Sequence, residues 1–210
     1  MKTGFRHALG GYAAIAGVEP DLVVYGKAVA NGYPMAAIAG KRDLMRYFVH
    51  PDPKRRVLLA GTYNGHPVPT AAAIATIETL MANDGEAYSY LETLGARLEA
   101  GVHRMFKNLG INAVLARQGS AFCVYFMDHA PVDWHDLAEN HDFALDVAMR
   151  RQLIERGIYF FPLAVKQGSI STAHTTADID LTIEQWEAAL GEVALAGKGV
   201  AETVTAQERS

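Results

Sequence analysis

The chain has 210 residues, half of them apolar and about a fifth charged, which is enough to bury a sizeable core and excludes a disordered protein. Its net charge of -4 comes from mixed-sign charges along the chain, so we expect no nucleic-acid partner. No apolar run reaches the roughly 18 to 20 residues that span a bilayer, and no signal peptide is present, which predicts a soluble cytoplasmic protein without a membrane partner.

Two short apolar runs in the first third of the chain predict strands. Residues 22–25 are rich in β-branched side chains and precede Gly26, which favours a strand buried on both faces. A second run, residues 56–60, ends in Gly61 and Thr62. Ligands bind at the carboxyl ends of strands in open α/β sheets, so we expect both strand ends to border a ligand site.

Two helices are predicted next. Residues 67–81 form a run of small residues with prolines confined to the first turn, where a missing N–H does no harm, and Asn83-Asp84-Gly85 ends it. The second helix has an apolar face at three- and four-residue spacing. Its members are Leu91, Leu94, Leu98, Val102, Met105 and Leu109.

The remainder alternates strand and helix. We predict a strand at 121–127, a helix at 143–156 ended by Gly157, and strands at 158–161 and 169–174. Thr175 and Asp178 form the pattern of a capping box before a last helix. The apolar stripe of that helix is Ile179, Ile183, Trp186, Leu190 and Val193.

These elements predict an α/β portion at residues 1–82, a smaller α+β portion at 83–197 and a disordered tail at 198–210, where the apolar spacing ends. The one cysteine, Cys123, lies in an apolar run and is expected to be a buried strand residue. His129, His135 and His141 lack metal-ligand spacing, so we predict no metal site.

Lys27 directly follows the first predicted strand and precedes a stretch of small residues. An amine that attacks an aldehyde must be neutral, and withdrawal of a lysine from water favours the neutral form. A solvated surface lysine that happens to follow a strand fits the same position. Taken alone, the position of Lys27 leaves both roles open.

Several separated segments together resemble the signature of pyridoxal-phosphate-dependent class III aminotransferases, nearest in pattern to the glutamate-1-semialdehyde aminomutase branch. They are Thr3-Gly4-Phe5-Arg6, Pro20-Asp21-Leu22, Gly26-Lys27, Asn31-Gly32-Tyr33-Pro34-Met35 and Gly61-Thr62-Tyr63-Asn64-Gly65-His66-Pro67. The resemblance covers about the whole chain but only the second half of a usual family member. It implies an α/β fold: the C-terminal part of the fold-type I large domain, followed by a small α+β C-terminal domain.

The resemblance also implies roles for three residues. Lys27 would form the Schiff base with pyridoxal 5'-phosphate and later move a proton between substrate and cofactor. The Thr62 hydroxyl, with Gly61 beside it, would reach the cofactor phosphate of a neighbouring subunit, which implies a homodimer with shared active sites. A strand-end or helix-capping hydroxyl is the alternative role for Thr62.

Ser171-Thr172-Ala173-His174-Thr175 resembles the ending of the aminomutase-like branch. A structural role for His174 is favoured over a catalytic base, because Lys27 already provides the proton transfer. The implied substrates are a small amino donor and a carbonyl acceptor. An amino-acid:2-oxo-acid aminotransferase of the ω type and a non-catalytic remnant or associating subunit are the alternatives.

In the family, an Asp-Glu pair precedes the segment that begins here, and its aspartate pairs with the pyridine nitrogen of the cofactor. Met1 stands where the residue after that pair would fall. An unpaired pyridine nitrogen is a weaker electron sink, so we expect the chain alone to be weakly active or inactive.

Overall fold

The computed structural model describes residues 4–207, with side chains described for residues 4–193, and divides into two compact units between Ser89 and Tyr90. The first unit contains three helices and two strands: α1 (Gly11–Ala16), β1 (Leu22–Tyr25), β2 (Ala37–Gly40), α2 (Arg42–Met45) and α3 (Pro67–Met81). Short 3-10 turns lie at Lys27–Ala30, Arg46–Val49 and Ala82–Gly85. The second unit follows from α4 (Glu86–Leu109), whose first turn contains the division.

The strand β1 forms where the apolar run predicts it, but its burial differs from the prediction. It pairs antiparallel with β2, from Leu22 opposite Gly40 to Tyr25 opposite Ala37. The side chains of Leu22 and Val24 are 51% and 44% exposed. Burial on both faces is therefore wrong for this chain, because the described residues only partly cover the face of β1 that carries Leu22 and Val24.

The strand predicted at residues 56–60 is wrong. A strand forms only where a neighbouring backbone completes its ladder of hydrogen bonds. Within residues 4–207 no ladder reaches this run, and the Val57 N–H instead donates to the Tyr47 carbonyl at 2.9 Å. Leu58 is consequently 86% exposed.

The helix α3 has the predicted bounds, and its small residues pack closely on the turn that contains Lys27. The prolines occupy its first turn, where the backbone N–H groups have no intrahelical acceptor. Ala73 is buried in a cluster with Phe5, Val29 and Ala30. This cluster is the core of the first unit.

The second unit is an antiparallel sheet packed with helices. After α4 it contains β3 (Val114–Gln118), β4 (Ala121–Tyr125), α5 (Trp134–Asn140), α6 (Phe143–Glu155), β5 (Gly168–Ser169) and α7 (Thr176–Gln207), with strand order β3-β4-β5. The predicted apolar faces of α4 and α7 meet in its core, which confirms both helices. The core includes Leu94, Leu98, Val102, Met105, Trp186 and Leu190.

Two predicted strands in the second unit need correction. Residues 158–161 form no strand, because the Ile158 N–H closes the end of α6 on the Leu153 carbonyl. The strand predicted at 169–174 is confined to β5, since residues 171–175 form a turn in which the His174 N–H donates to the Ser171 carbonyl at 3.1 Å.

The capping box before α7 is confirmed, since Asp178 accepts from the Thr175 N–H at 2.7 Å and the Asp178 N–H donates to the Thr175 hydroxyl.

The backbone of α7 continues to Gln207, past the start of the predicted tail at residue 198. Side chains from residue 194 and the whole of residues 208–210 lie outside the described part, so that tail stays a prediction. No helix within residues 4–207 is long and apolar enough to cross a bilayer.

A buried ionic network holds the loop after α6. Asp146 is fully buried and accepts from Arg150 Nε at 2.6 Å and from the Val165 N–H at 2.7 Å. Arg150 also donates to the carbonyls of Phe161 and Lys166. Val165 has φ 52, an outlier for a β-branched residue, so the network holds a strained backbone in place.

We predict that Arg150→Met lowers the free energy of unfolding by about 3–5 kcal/mol, because it leaves the buried Asp146 carboxylate without its guanidinium partner and with only its contacts to the Val165 N–H and the His141 ring. The double variant Asp146→Leu with Arg150→Met should be less destabilised than Arg150→Met, since it removes both charges. Urea denaturation measures both effects. The neighbouring residue Arg151 is exposed, so Arg151→Met is the control and should change stability by less than about 0.5 kcal/mol. Equal losses of stability in Arg150→Met and Arg151→Met would contradict the role of the network.

An exposed histidine in the loop before α5 lies between two carboxylates. The side chains of Asp128 and Asp136 both contact the His129 ring, Asp136 at 2.9 Å from Nε2. The hydrogen bond to Asp128, followed by that to Asp136, raises the pKa of His129 above its ordinary value. Protonated His129 thus joins the two ends of this loop.

The contacts of His129 raise its pKa in the folded chain above the unfolded value of about 6.5. The stability that protonated His129 gives to the fold is therefore fully present below the unfolded pKa and is lost as the pH rises through the folded pKa. Asp128→Asn should lower the His129 pKa and so make the loss of stability with rising pH smaller. An NMR titration of the imidazole protons, repeated with Glu139→Gln as the charge-matched control, measures it. A pKa that falls equally in both variants would disprove the local contact.

Candidate functional site

Lys27 stands at the carboxyl end of β1, as predicted. The strand ends at Tyr25, Gly26 is buried and extended, and Lys27 begins the turn Lys27–Ala30. The backbone of Lys27 is left-handed, with φ 54. Residues with a side chain adopt this region uncommonly, and outliers of this kind cluster at functional sites.

Burial of the two following residues holds the turn. Val29 and Ala30 are 5% and 0% exposed and pack with Ala73 of α3. Within the turn, the Asn31 N–H donates to the Ala28 carbonyl at 3.0 Å. Since these contacts fix the turn on α3, the left-handed conformation at Lys27 is retained.

The Lys27 side chain itself is exposed and, among the described residues, its amine has no hydrogen-bond or carboxylate partner. It borders a cavity of about 470 Å³ together with Asn31, Tyr33 and Met35. Withdrawal of this amine from water, which favours its neutral form, is not provided by the described residues of the first unit.

The second predicted element, Gly61 with Thr62, lies in a tight turn before α3. The Asn64 N–H donates to the Gly61 carbonyl at 3.0 Å. A Cβ atom at position 61 would lie 2.9 Å from the Asn64 side-chain oxygen, a contact that a shift of this exposed side chain would relieve. Thr62 is exposed at the tip, and its hydroxyl has no partner in the described part of the chain.

The cap of α3 is His66 and not Thr62. The His66 Nδ1 atom accepts from the Val68 N–H at 3.2 Å, and the His66 carbonyl accepts from the Thr70 hydroxyl at 2.8 Å. The alternative role of Thr62 as the hydroxyl that caps this helix is therefore excluded. Its position in the sequence alone assigns His66 no task.

The turn before α3 and the turn of Lys27 border neighbouring cavities. A cavity of about 500 Å³ is lined by Tyr63, Asn64 and His66, and it shares Pro34 and Met35 with the cavity beside Lys27. Thr62 lies outside both linings. Asn31, the first residue of the segment 31–35 that carries part of the family resemblance, is left-handed with φ 46, and its Asn-Gly pair with Gly32 is typical of a turn.

In the second unit, the contacts of His174 support a structural role. Its Nδ1 atom accepts from the Ser171 N–H at 3.1 Å, and its carbonyl accepts from the Tyr90 hydroxyl at 2.7 Å. These bonds form the turn that leads into α7. Among the described side chains, no group of three His, Cys, Asp or Glu residues is arranged to hold a metal ion.

Comparison with known proteins identifies the family. Residues 1–170 match aminotransferase class III. The chain is 40% identical over 190 residues to the glutamate-1-semialdehyde 2,1-aminomutase of Thermus thermophilus, which covers 90% of this chain and 44% of that protein. The chain thus spans less than half the length of this relative.

Solved structures agree with the sequence match. A transaminase with pyridoxal phosphate bound superimposes with a TM-score of 0.78 and 27% identity, covering 94% of this chain and 44% of that one. A glutamate-1-semialdehyde aminomutase from Pseudomonas aeruginosa superimposes with a TM-score of 0.75 and 27% identity. The match covers 87% of this chain and 41% of that one. The chain belongs to the class III aminotransferases, which are pyridoxal-phosphate-dependent enzymes of fold type I, and it corresponds to part of that fold.

We predict that Lys27→Gly is more stable than Lys27→Ala by about 0.5–1 kcal/mol. The free-energy cost of placing alanine in a left-handed conformation is larger than the entropic cost of ordering glycine on folding. Both variants lack the amine, so the difference isolates the backbone strain. Thermal unfolding followed by circular dichroism measures it, and an alanine variant as stable as the glycine variant would show that position 27 is not strained.

Proposed function

We propose that this chain provides the Schiff-base lysine and a phosphate-contacting turn of a pyridoxal-phosphate site that transfers amino groups. The observation that carries the proposal is the strained, unpaired Lys27 at a strand end, beside a cavity. Strain retained at an exposed residue is otherwise unexplained, since glycine at this position would avoid it. Membership of the family supports the same residue.

The 40% identity to the aminomutase of Thermus thermophilus supports a glutamate-1-semialdehyde 2,1-aminomutase-like reaction. The substrates would be a small amino donor and a carbonyl acceptor. When bound, the cofactor supplies the electron sink for this chemistry. The protein then has to hold the reacting carbon beside a base and keep water away from it.

Lys27 is proposed to perform two of these tasks. Its amine would hold the cofactor, and when it is free it would carry a proton to and from the reacting carbon. The anchored turn confines the lysine stem, which limits where the amine can reach. Water exclusion requires a cover that the exposed side chain of Lys27 lacks in this chain.

Thr62 is proposed to donate its hydroxyl to the cofactor phosphate of a second copy, which would make the site a property of a homodimer. The free hydroxyl at the tip of the turn supports this role, because the cap of α3 is made by His66. The Gly61 carbonyl accepts from the Asn64 N–H and so closes the turn that carries the hydroxyl.

Two other functions are each favoured by one observation. Structural similarity to a transaminase with a TM-score of 0.78 favours an amino-acid:2-oxo-acid aminotransferase of the ω type. The exposed apolar side chains of Leu22, Val24 and Leu58 favour a chain that associates with another polypeptide and is not catalytic by itself.

We predict that the purified chain, mixed with pyridoxal phosphate, develops the visible absorbance band of a lysine-bound cofactor, and that Lys27→Ala abolishes it. Thr62→Val should weaken cofactor binding by about tenfold or more, the value of a hydrogen bond to a charged group, while Thr62→Ser retains it. A spectrophotometric titration measures both. Lys107→Ala is the control, because this exposed lysine lies in α4 of the second unit.

Loss of the band only in Lys27→Ala, with amino-group transfer by the unmodified chain, supports the enzyme. The associating subunit is supported by a different result. The unmodified chain would then give no band alone, but would give one when it is mixed with a full-length family member whose own lysine has been replaced. A band that survives in Lys27→Ala would refute the assignment of the lysine.

A further inference from the structure

Two asparagines of the first unit directly precede a glycine, at positions 31–32 and 64–65. An asparagine in this dipeptide can modify itself. The backbone nitrogen of the next residue attacks the side-chain amide carbon, ammonia leaves, and water then opens the resulting imide ring to aspartate or to its β-linked isomer. Glycine permits the attack because it has no side chain beside the nitrogen. Both pairs border the cavities of the candidate site.

The conformation of Asn31 opposes this reaction. Its backbone is left-handed, with φ 46 and ψ 50. At this ψ the nitrogen of Gly32 lies on the side of the Cα–C bond opposite to the asparagine side chain, whereas ring closure needs both on the same side. The buried side chains of Val29 and Ala30 anchor the turn. The Asn31 N–H also donates to the Ala28 carbonyl at 3.0 Å, so the rotation that ring closure requires is resisted.

Asn64 lies in a turn without such an anchor. Its backbone is not left-handed, and all side chains of residues 51–68 are exposed. Two backbone hydrogen bonds hold the turn, from the Asn64 N–H to the Gly61 carbonyl at 3.0 Å and from the His66 N–H to the Tyr63 carbonyl at 3.1 Å. Segments with few buried contacts open at a low cost in free energy. The turn of Asn64 should therefore reach the geometry of ring closure more often than the turn of Asn31.

The reacting groups of Asn64 are unpaired. Among the described residues, the Gly65 N–H donates to no acceptor and the Asn64 side-chain amide has no hydrogen-bond partner. The amides of Asn83 and Asn140 instead donate to neighbouring carboxylates at 2.9 Å. Asn112 is exposed but precedes alanine, whose methyl group hinders attack by the backbone nitrogen. Asn64 thus combines an exposed side chain, an unhindered nitrogen and an unanchored turn.

We propose that Asn64 is a self-modification site of this chain, at which uptake of water and release of ammonia convert the amide to a carboxylate. Asn31 reacts more slowly, because its turn is anchored in the opposite geometry. The product carries a new negative charge two residues from Thr62. A consequence rests on the proposed function of Thr62: the charge would repel the cofactor phosphate, so cofactor affinity would decline as the protein ages.

Peptide mapping by mass spectrometry tests the modification on the folded chain, incubated in mildly alkaline buffer. We expect Asn64 to lose its amide about tenfold or more faster than Asn31 and Asn112, since an unanchored turn opens more readily. In concentrated urea, where both turns are lost, Asn31 and Asn64 should react at similar rates and Asn112 should stay slower. A folded chain in which Asn31 reacts as fast as Asn64, or Asn64 no faster than Asn112, would overturn the proposal.

The effect on the cofactor is measured separately, with Asn64→Asp as a stable mimic of one product. In a spectrophotometric titration, Asn64→Asp should bind pyridoxal phosphate about threefold or more weakly than the unmodified chain. Asn64→Gln alters the side chain without adding charge and should bind more tightly than Asn64→Asp. Asn112→Asp adds the same charge at an exposed site of the second unit and is the control.

Equal affinities of Asn64→Asp and the unmodified chain would overturn the effect on the site. An unmodified chain that gives no cofactor band would contradict the proposed function. The comparison of rates at Asn31, Asn64 and Asn112 uses no cofactor, so it decides the modification in either case.

Discussion

The packing of the turn after β1 against α3 is the constraint on which the candidate site depends. Val29 and Ala30 are buried against Ala73, and this contact keeps Lys27 in a left-handed conformation. Small side chains at these positions let the turn and the helix approach closely. A larger side chain at position 73 would move the turn, and with it the amine, relative to its cavity.

The elements that the sequence predicts well are those whose contacts are local or periodic. The bounds of α3 and the apolar stripes of α4 and α7 follow from proline placement and three- and four-residue spacing. Residues 56–60 and 158–161 are apolar like strands but form none, because a strand needs a partner backbone that the apolar pattern does not specify. Lys27 follows a strand as predicted, but its left-handed backbone was not predictable, since lysine rarely adopts it. Thr62 was predicted at the end of a strand over 56–60, and because that strand does not form, Thr62 lies in a turn instead.

The two units differ in how completely each buries its own apolar side chains. The second unit has an extended core that includes Trp186 and Leu190, both fully buried. Among the described residues of the first unit the core has four buried members, and apolar side chains such as Leu58 remain exposed. The second unit therefore buries its own apolar side chains more completely, while the residues proposed to bind the cofactor belong to the first unit.

Chemical trapping can show whether Lys27 is the residue that forms the bond with the cofactor. The purified chain is incubated with pyridoxal phosphate, reduced with borohydride, digested and mapped by mass spectrometry, since reduction converts a carbon–nitrogen double bond to lysine into a stable amine. The account predicts one dominant modified residue, Lys27. Modification spread evenly over exposed lysines such as Lys41, Lys54 and Lys107, with no preference for Lys27, would contradict it.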